Sequence, residues 1–219
     1  MNNIKTQDLF DCKNEYIKPL LEESVYPWEV LPKIKAYIAM LVENGIEGFT
    51  LYQEGVLVGE GVKIHKSAVI EPPAVIGAGT EIRPGAYIRG NVIVGEKCVI
   101  GNSSELKNCV LLDRVQVPHY NYVGDSVLGN YSHMGAGSIC SNLKADGKNI
   151  VIHGETEIET GLRKIGGILG DHADVGCSCV LNPGTVIGKN TTVYPLTSVR
   201  GVIPADSIVK SMNNIVKRI

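Results

Sequence analysis

Between residues 76 and 95 the chain reads Ile76-Gly77-Ala78-Gly79-Thr80-Glu81-Ile82-Arg83-Pro84-Gly85-Ala86-Tyr87-Ile88-Arg89-Gly90-Asn91-Val92-Ile93-Val94-Gly95. An aliphatic residue stands at every sixth position: Ile76, Ile82, Ile88, Val94. The same period extends back through Ile70, Ile64 and Val58 and forward through Ile100, Leu106 and Leu112. It reappears at Leu169, Val175, Leu181, Ile187, Val193 and Val199. Two residues earlier comes a small or β-branched partner, as at Ala68, Ala74, Thr80, Ala86 and Cys98, and glycine often follows directly. A period of six is neither helical nor a plain strand alternation. It suits a short strand and a corner, repeated, with the aliphatic and small residues inward and glycine where a Cβ would crowd the bend. Three such units close a coil of eighteen residues, and coils stacked about 4.8 Å apart hydrogen-bond in parallel. Roughly six or seven coils fit the chain. The expected fold class is all-β, a parallel β-helix.

Composition agrees. Glycine is high at 25 and aromatic content is 5%, as a thin stacked core with many corners requires. The net charge of −2 and pI near 6.2 give no electrostatic basis for nucleic-acid binding. No run of about eighteen apolar residues and no apolar leader core is present, so a cytoplasmic protein without membrane spans is expected. The six cysteines (Cys12, Cys98, Cys109, Cys140, Cys177, Cys179) lack C-x-x-C spacing and read as reduced thiols rather than a metal or redox site.

The period leaves three stretches unexplained. Residues 1–50 carry helical spacing from Trp28 to Glu43, stopped by Asn44-Gly45, and read as a small N-terminal helical cap on the end of the solenoid. Residues 51–205 form the β-helix, and 206–219 a C-terminal tail. The register is expected to slip between Leu112 and Val123, through Val117-Pro118-His119-Tyr120-Asn121-Tyr122. A polar excursion spans 141–167 before the return at Leu169. Breaks in a regular solenoid are where function is grafted.

The motifs Glu105-Leu106-Lys107, Pro118-His119-Tyr120-Asn121-Tyr122-Val123-Gly124-Asp125-Ser126 and Gly135-Ala136-Gly137-Ser138-Ile139-Cys140-Ser141-Asn142 resemble the acetyltransferase half of bifunctional N-acetylglucosamine-1-phosphate uridyltransferases. They are similar also to the C-terminal domain of archaeal sugar-1-phosphate nucleotidyltransferases. The resemblance covers roughly residues 80–200. It implies the left-handed form of the β-helix, a homotrimer with sites between neighbouring subunits, and acetyl-CoA as co-substrate for transfer to an amino-sugar phosphate. About 50 residues before the repeat do not hold a nucleotidyltransferase domain, so that activity is not expected.

By the same resemblance His119 is the catalytic base. An imidazole with a pKa near 6.5 suits removal of a proton from an amino-sugar nitrogen. Lys107 matches a phosphate-contacting lysine whose arginine partner lies one coil earlier. Arg89, eighteen residues before, fits that spacing, and Arg83, twenty-four before, does not. Tyr122 and Lys148 match substrate contacts, and Asn142 lies beside the acetyl group, either holding substrate or stabilising charge on the thioester oxygen. Ala136, Leu143 and Cys177 fall where relatives line the coenzyme A channel. His133 stands where the bacterial enzymes have a substrate asparagine, which leaves the acceptor sugar open. A zinc anhydrase on the same fold is disfavoured, because the five histidines show no close pair. The serious alternative is a non-catalytic subunit that binds a sugar phosphate or nucleotide sugar.

Overall fold

The computed structural model describes residues 4–218; Met1–Asn3 and Ile219, at the ends of the expected cap and tail, lie outside the described residues. The chain winds a left-handed parallel β-helix with three sheets as its sides. The first sheet (A) is nine-stranded and runs from Val56–Gly59 through Ala74–Ile76, Val92–Val94 and Cys109–Leu111 to Val202–Ile203, with Phe49–Gln53 antiparallel at its start. The second (B) is also nine-stranded and contains Glu81–Ile82, Val99–Asn102, Gln116–His119, His133–Met134 and Asp174–Val175. The third (C) is seven-stranded and contains Tyr87–Arg89, Glu105–Lys107, Tyr122–Gly124 and Ile139–Cys140. Its seven strands set seven complete coils. The stretch read as a tail contains Ser207–Ser211, the last parallel strand of sheet B, and Asn214–Lys217, which returns antiparallel on it.

The inward positions are those of the period. Ile76, Ile82, Ile88, Val94, Ile100 and Leu106 fill one continuous core with Ala74, Ala86 and Cys98, and the core continues through Val175, Leu181, Ile187, Val193 and Val199. Leu112 departs from the expectation. Leu111 pairs with Val94 and points inward, while Leu112 joins a second apolar cluster outside the helix. The cause is the corner at Asn108. Two positive-φ residues, Gly90 and Asn91, turn the preceding coil, whereas Asn108 turns this one alone, and the cross-strand offset falls from 18 (Ala74↔Val92) to 17 (Val92↔Cys109). Val117 pairs with Ile100 and Val123 with Leu106. The register therefore slips at Asn108, and the stretch around His119 is regular.

The N-terminal segment lies along a flank of the solenoid and not on its end. Sheet A strands are buried on both faces: Ala74 and Ile76 point in, and Val75 points out into the second cluster. Val75, Ile93, Val110, Val127, Ile168 and Val186 form an apolar stripe up the outside. Ile17, Leu20, Trp28, Ile34 and Ile38 cover it, at about 1.5–3 kcal/mol per fully buried aliphatic side chain. Polar ties run up the coils: Tyr16 Oη donates to the Val94 carbonyl (3.0 Å), Asn14 Nδ2 to Asp113 (2.8 Å), and the Asp171 N–H to the Leu9 carbonyl (3.0 Å). Helix Ile34–Asn44 ends at Gly45 with φ 73°, the stop expected from Asn44-Gly45. The 141–167 excursion packs on the same stripe. Its hairpin Val151–His153/Glu157–Glu159 and Ile165 bury Ile150, Ile152 and Ile165 there.

Candidate functional site

The residues expected to act together fall into groups separated by the solenoid's own geometry. His119 ends a sheet B strand and is exposed where the chain turns from B to C. Tyr120 makes that turn at φ 52°. Asn121 is buried and pins it, accepting from the His119 N–H (3.0 Å) and donating to the carbonyls of Gly135 (2.8 Å) and Ser138 (3.1 Å). The corners above stack on it: Gly137 N–H donates to the His119 carbonyl (3.0 Å), Ser178 to Ala136 (2.8 Å) and Leu196 to Cys177 (2.9 Å). His119, Ala136 and Cys177 thus form one column on successive coils. Among the described residues the His119 imidazole has no hydrogen-bond partner.

The second group lies on the outer face of sheet C and its corner with sheet A. The pairing Glu105↔Tyr87 and Leu106↔Ile88 puts Lys107 beside Arg89 on adjacent strands. Arg83 follows a sheet B strand, where it pairs with Glu81 (3.3 Å). Both cations have carboxylate neighbours. Arg89 Nη1 lies 2.7 Å from Glu105 Oε1, and Lys107 Nζ lies 3.6 Å from Asp125 Oδ2. Glu105, by its hydrogen bond and charge, raises the Arg89 pKa above the ordinary guanidinium value. Burial raises the Tyr122 pKa above the ordinary phenol value, so the phenol is neutral at neutral pH. Its ring folds across Gly124, where a Cβ would collide with the Tyr122 hydroxyl and the Asn142 amide.

Asn142 is held from below. Its Nδ2 donates to Asp125 Oδ2 (2.5 Å) and to Tyr122 Oη (3.2 Å). An ionised carboxylate only accepts, so the amide nitrogen must face Asp125. Both N–H groups are used, and Oδ1 is the end left for a ligand. Of the two roles open to Asn142, holding substrate as an acceptor is compatible with this geometry. Donation to a thioester oxygen would require an N–H to leave Asp125 or Tyr122.

The remaining residues divide, with Leu143 beside the sheet C corner, lining a cavity with Asn108 and Asp125, and His133 apart from it. His133 is on the outer face of sheet B, its Nδ1 2.8 Å from Asp174 Oδ1 across the strand pair. Leu143 is exposed on the excursion, bridged to Lys164, away from Ala136 and Cys177. Lys148 is exposed on the turn made by Asp146, which accepts its N–H (3.1 Å). Asp125, Asn108 and Glu105 escaped the sequence reading. The signal for Asn108 and Asp125 was the spacing Asn108, Asp125, Asn142, seventeen residues each, visible once the shortened coil is known. Among the described residues no three His, Cys, Asp or Glu side chains are placed to hold a metal ion, and no helix is long and apolar enough to cross a membrane.

Comparison with known proteins agrees with the fold. Residues 55–90 match the family model described as bacterial transferase hexapeptide (six repeats), and residues 79–163 match the GMPPB C-terminal domain. The bifunctional protein GlmU of Methanococcus aeolicus is 34% identical over 117 residues, 53% of this chain and 28% of that protein. A bifunctional sugar-1-phosphate nucleotidylyltransferase/acetyltransferase of Sulfurisphaera tokodaii is 36% identical over 97 residues, 44% of this chain and 23% of that protein. The matches thus span about a quarter of the curated relatives' length. Among solved structures, a perosamine N-acetyltransferase of Caulobacter crescentus with CoA and GDP-perosamine aligns at 20% identity and a TM-score of 0.43, over 71% of this chain and 55% of that one. That likeness is too distant to inform the chemistry.

Proposed function

We propose that this hexapeptide-repeat β-helix is an acetyl-CoA-dependent N-acetyltransferase of the cytoplasm, acting on an amino-sugar phosphate such as glucosamine-1-phosphate or galactosamine-1-phosphate. The observation that carries the reading is the acceptor-out Asn142 amide beside Tyr122, one corner of sheet C away from His119. In this scheme the sugar amine donates to Asn142 Oδ1, and the neutral Tyr122 hydroxyl donates to a sugar oxygen. The ammonium first gives one proton to solvent. The free amine attacks the thioester carbon while His119 takes a second N–H proton, the C–S bond breaks, and His119 hands that proton to the departing thiolate, leaving a neutral amide. Arg89 and Lys107 take the sugar phosphate by exchanging Glu105 and Asp125 for it. Ala136 and Cys177, stacked on the His119 corner, line the path of coenzyme A, with Leu143 and Lys148 reaching in from the excursion. His133 contacts the sugar.

The place of His133 on sheet B, apart from the sheet C cluster, supports a homotrimer whose sites combine two subunits. The lone His119 imidazole favours one second reading, a non-catalytic sugar-phosphate or nucleotide-sugar binding subunit. The test is coenzyme A release from acetyl-CoA with a panel of amino-sugar phosphates. Turnover that His119→Ala abolishes without altering the melting curve is expected. Saturable sugar-phosphate binding with no turnover across the panel would sink the enzyme reading in favour of the binding one.

A further inference from the structure

Asn108, Asp125 and Asn142 occupy one corner column, each one coil above the last. Asp125 is at its centre with 7% of its side chain exposed. Its Oδ1 accepts from Asn108 Nδ2 (2.8 Å), and its Oδ2 accepts from Asn142 Nδ2 (2.5 Å) and lies 3.6 Å from Lys107 Nζ. We propose that Asp125 is a positioning residue that fixes which end of the Asn142 amide meets the substrates.

The corner itself does not call for a carboxylate. Asparagine makes the same left-handed bend at Asn91, Asn108 and Asn190. A buried carboxylate is costly unless surrounded by donors or a counter-charge, and this one has two amide donors and the Lys107 ammonium beside it. What an asparagine at 125 lacks is a purely accepting face. Against a carboxylate, a flipped Asn142 would set oxygen against oxygen, so the amide has a single orientation. Against an amide, either orientation finds a partner, and Asn142 then shows a mixture of Oδ1 and Nδ2 to the ligand. The catalytic consequence rests on the acetyltransferase reading; the amide orientation does not.

Two measurements on the full-length protein separate them. The first is kinetics of Asp125→Asn, of Asn142→Asp, and of the exchange of both, which restores one donor facing one carboxylate. Asp125→Asn is expected to lower kcat about ten- to a hundredfold, the scale of misplacing a reacting group, with the KM for acetyl-CoA and the melting curve nearly unchanged. The double exchange is expected to exceed both single variants in kcat, a rescue that a merely structural role for Asp125 would not produce. The second is hydrogen exchange of the Asn142 side-chain amide in ¹⁵N-asparagine-labelled protein, expected to be slow in the wild type and fast in Asp125→Asn. Slow exchange that persists in Asp125→Asn overturns the positioning role, whatever the activity. So does wild-type kcat in that variant once exchange has become fast. If the single variant does not fold, the double exchange is compared with Asn142→Asp, and equal kcat overturns the proposal. Absence of turnover in the wild type overturns the acetyltransferase reading alone, with the exchange experiment still deciding Asp125.

Discussion

Tyr16 reaches across the solenoid wall to donate its hydroxyl to the carbonyl of Val94, 3.0 Å away and 78 residues later. It passes over Gly77, where a Cβ would occupy the space of that hydroxyl and of the Gly95 backbone. The contact anchors the N-terminal segment to the coils. Gly77→Ala is expected to destabilise by about 2–3 kcal/mol, since neighbouring backbone must move. Tyr16→Phe, which only removes the hydrogen bond, is expected to cost about 1 kcal/mol. Denaturant titration of the two variants measures both, and equal effects would refute the steric account.

The flank contact also accounts for the apolar outer face of sheet A. Ile93 is fully buried there, beneath the N-terminal segment and outside the inner core. Ile93→Asp is expected to lift that segment while leaving the coils wound, because the inner core residues Val92 and Val94 are untouched. Limited proteolysis should then cut within residues 4–44 at rates at least about tenfold above wild type, as expected for losing more than 1.4 kcal/mol of local stability. Protection equal to wild type would contradict the packing.

Glu105 competes for the cation assigned to the acceptor phosphate. Removing its charge frees Arg89, so Glu105→Gln is expected to lower the KM for the sugar phosphate several-fold, whereas Arg89→Ala raises it about tenfold. The effect should shrink with added salt, because the pair is partly exposed. A higher KM in Glu105→Gln would place the phosphate elsewhere.

Burial pushes the thiols of Cys98 up to about 12 and of Cys140 up to about 11. An unfolded thiol titrates near 8.5. A raised acid in the folded state stabilises fully below the unfolded pKa, and that contribution is lost as pH rises through the folded value. The alkaline window from about pH 8.5 to 11 should therefore cost up to about 1.4 kcal/mol per pH unit for each such thiol. Exposed Cys177 should be alkylated in native protein well ahead of Cys98, Cys109, Cys140 and Cys179. Mass-spectrometric mapping after iodoacetamide at pH 8 checks this, and early label on Cys98 or Cys109 would refute it.

The repeat and its inward positions were legible because burial in a stacked coil is local: Ile76, Ile82 and Ile88 each fill the same small triangle one side further on. The helix stop at Gly45 and the excursion were legible for similar reasons. The slip at Asn108 was not, because a single left-handed residue replaces a pair without changing the apolar pattern on either side, so Leu112 reads as well as Leu111. The covered flank had a signal that went unread: Val92-Ile93-Val94 and Cys109-Val110-Leu111 are apolar at every position, as strands buried on both faces are.

The choice of Arg89 over Arg83 likewise needed only the coil length, since residues one coil apart stack whatever surrounds them. What the amino-acid sequence determined alone was thus the period, the core and the order of residues up each corner. The tertiary structure decided the rest. It laid the N-terminal segment along sheet A, gave Arg89 and Lys107 their carboxylate neighbours, and turned the Asn142 amide oxygen outward. Each of these depends on which side chains from distant coils meet, and a hydrogen bond's direction is set by both partners, not by either residue's place in the chain.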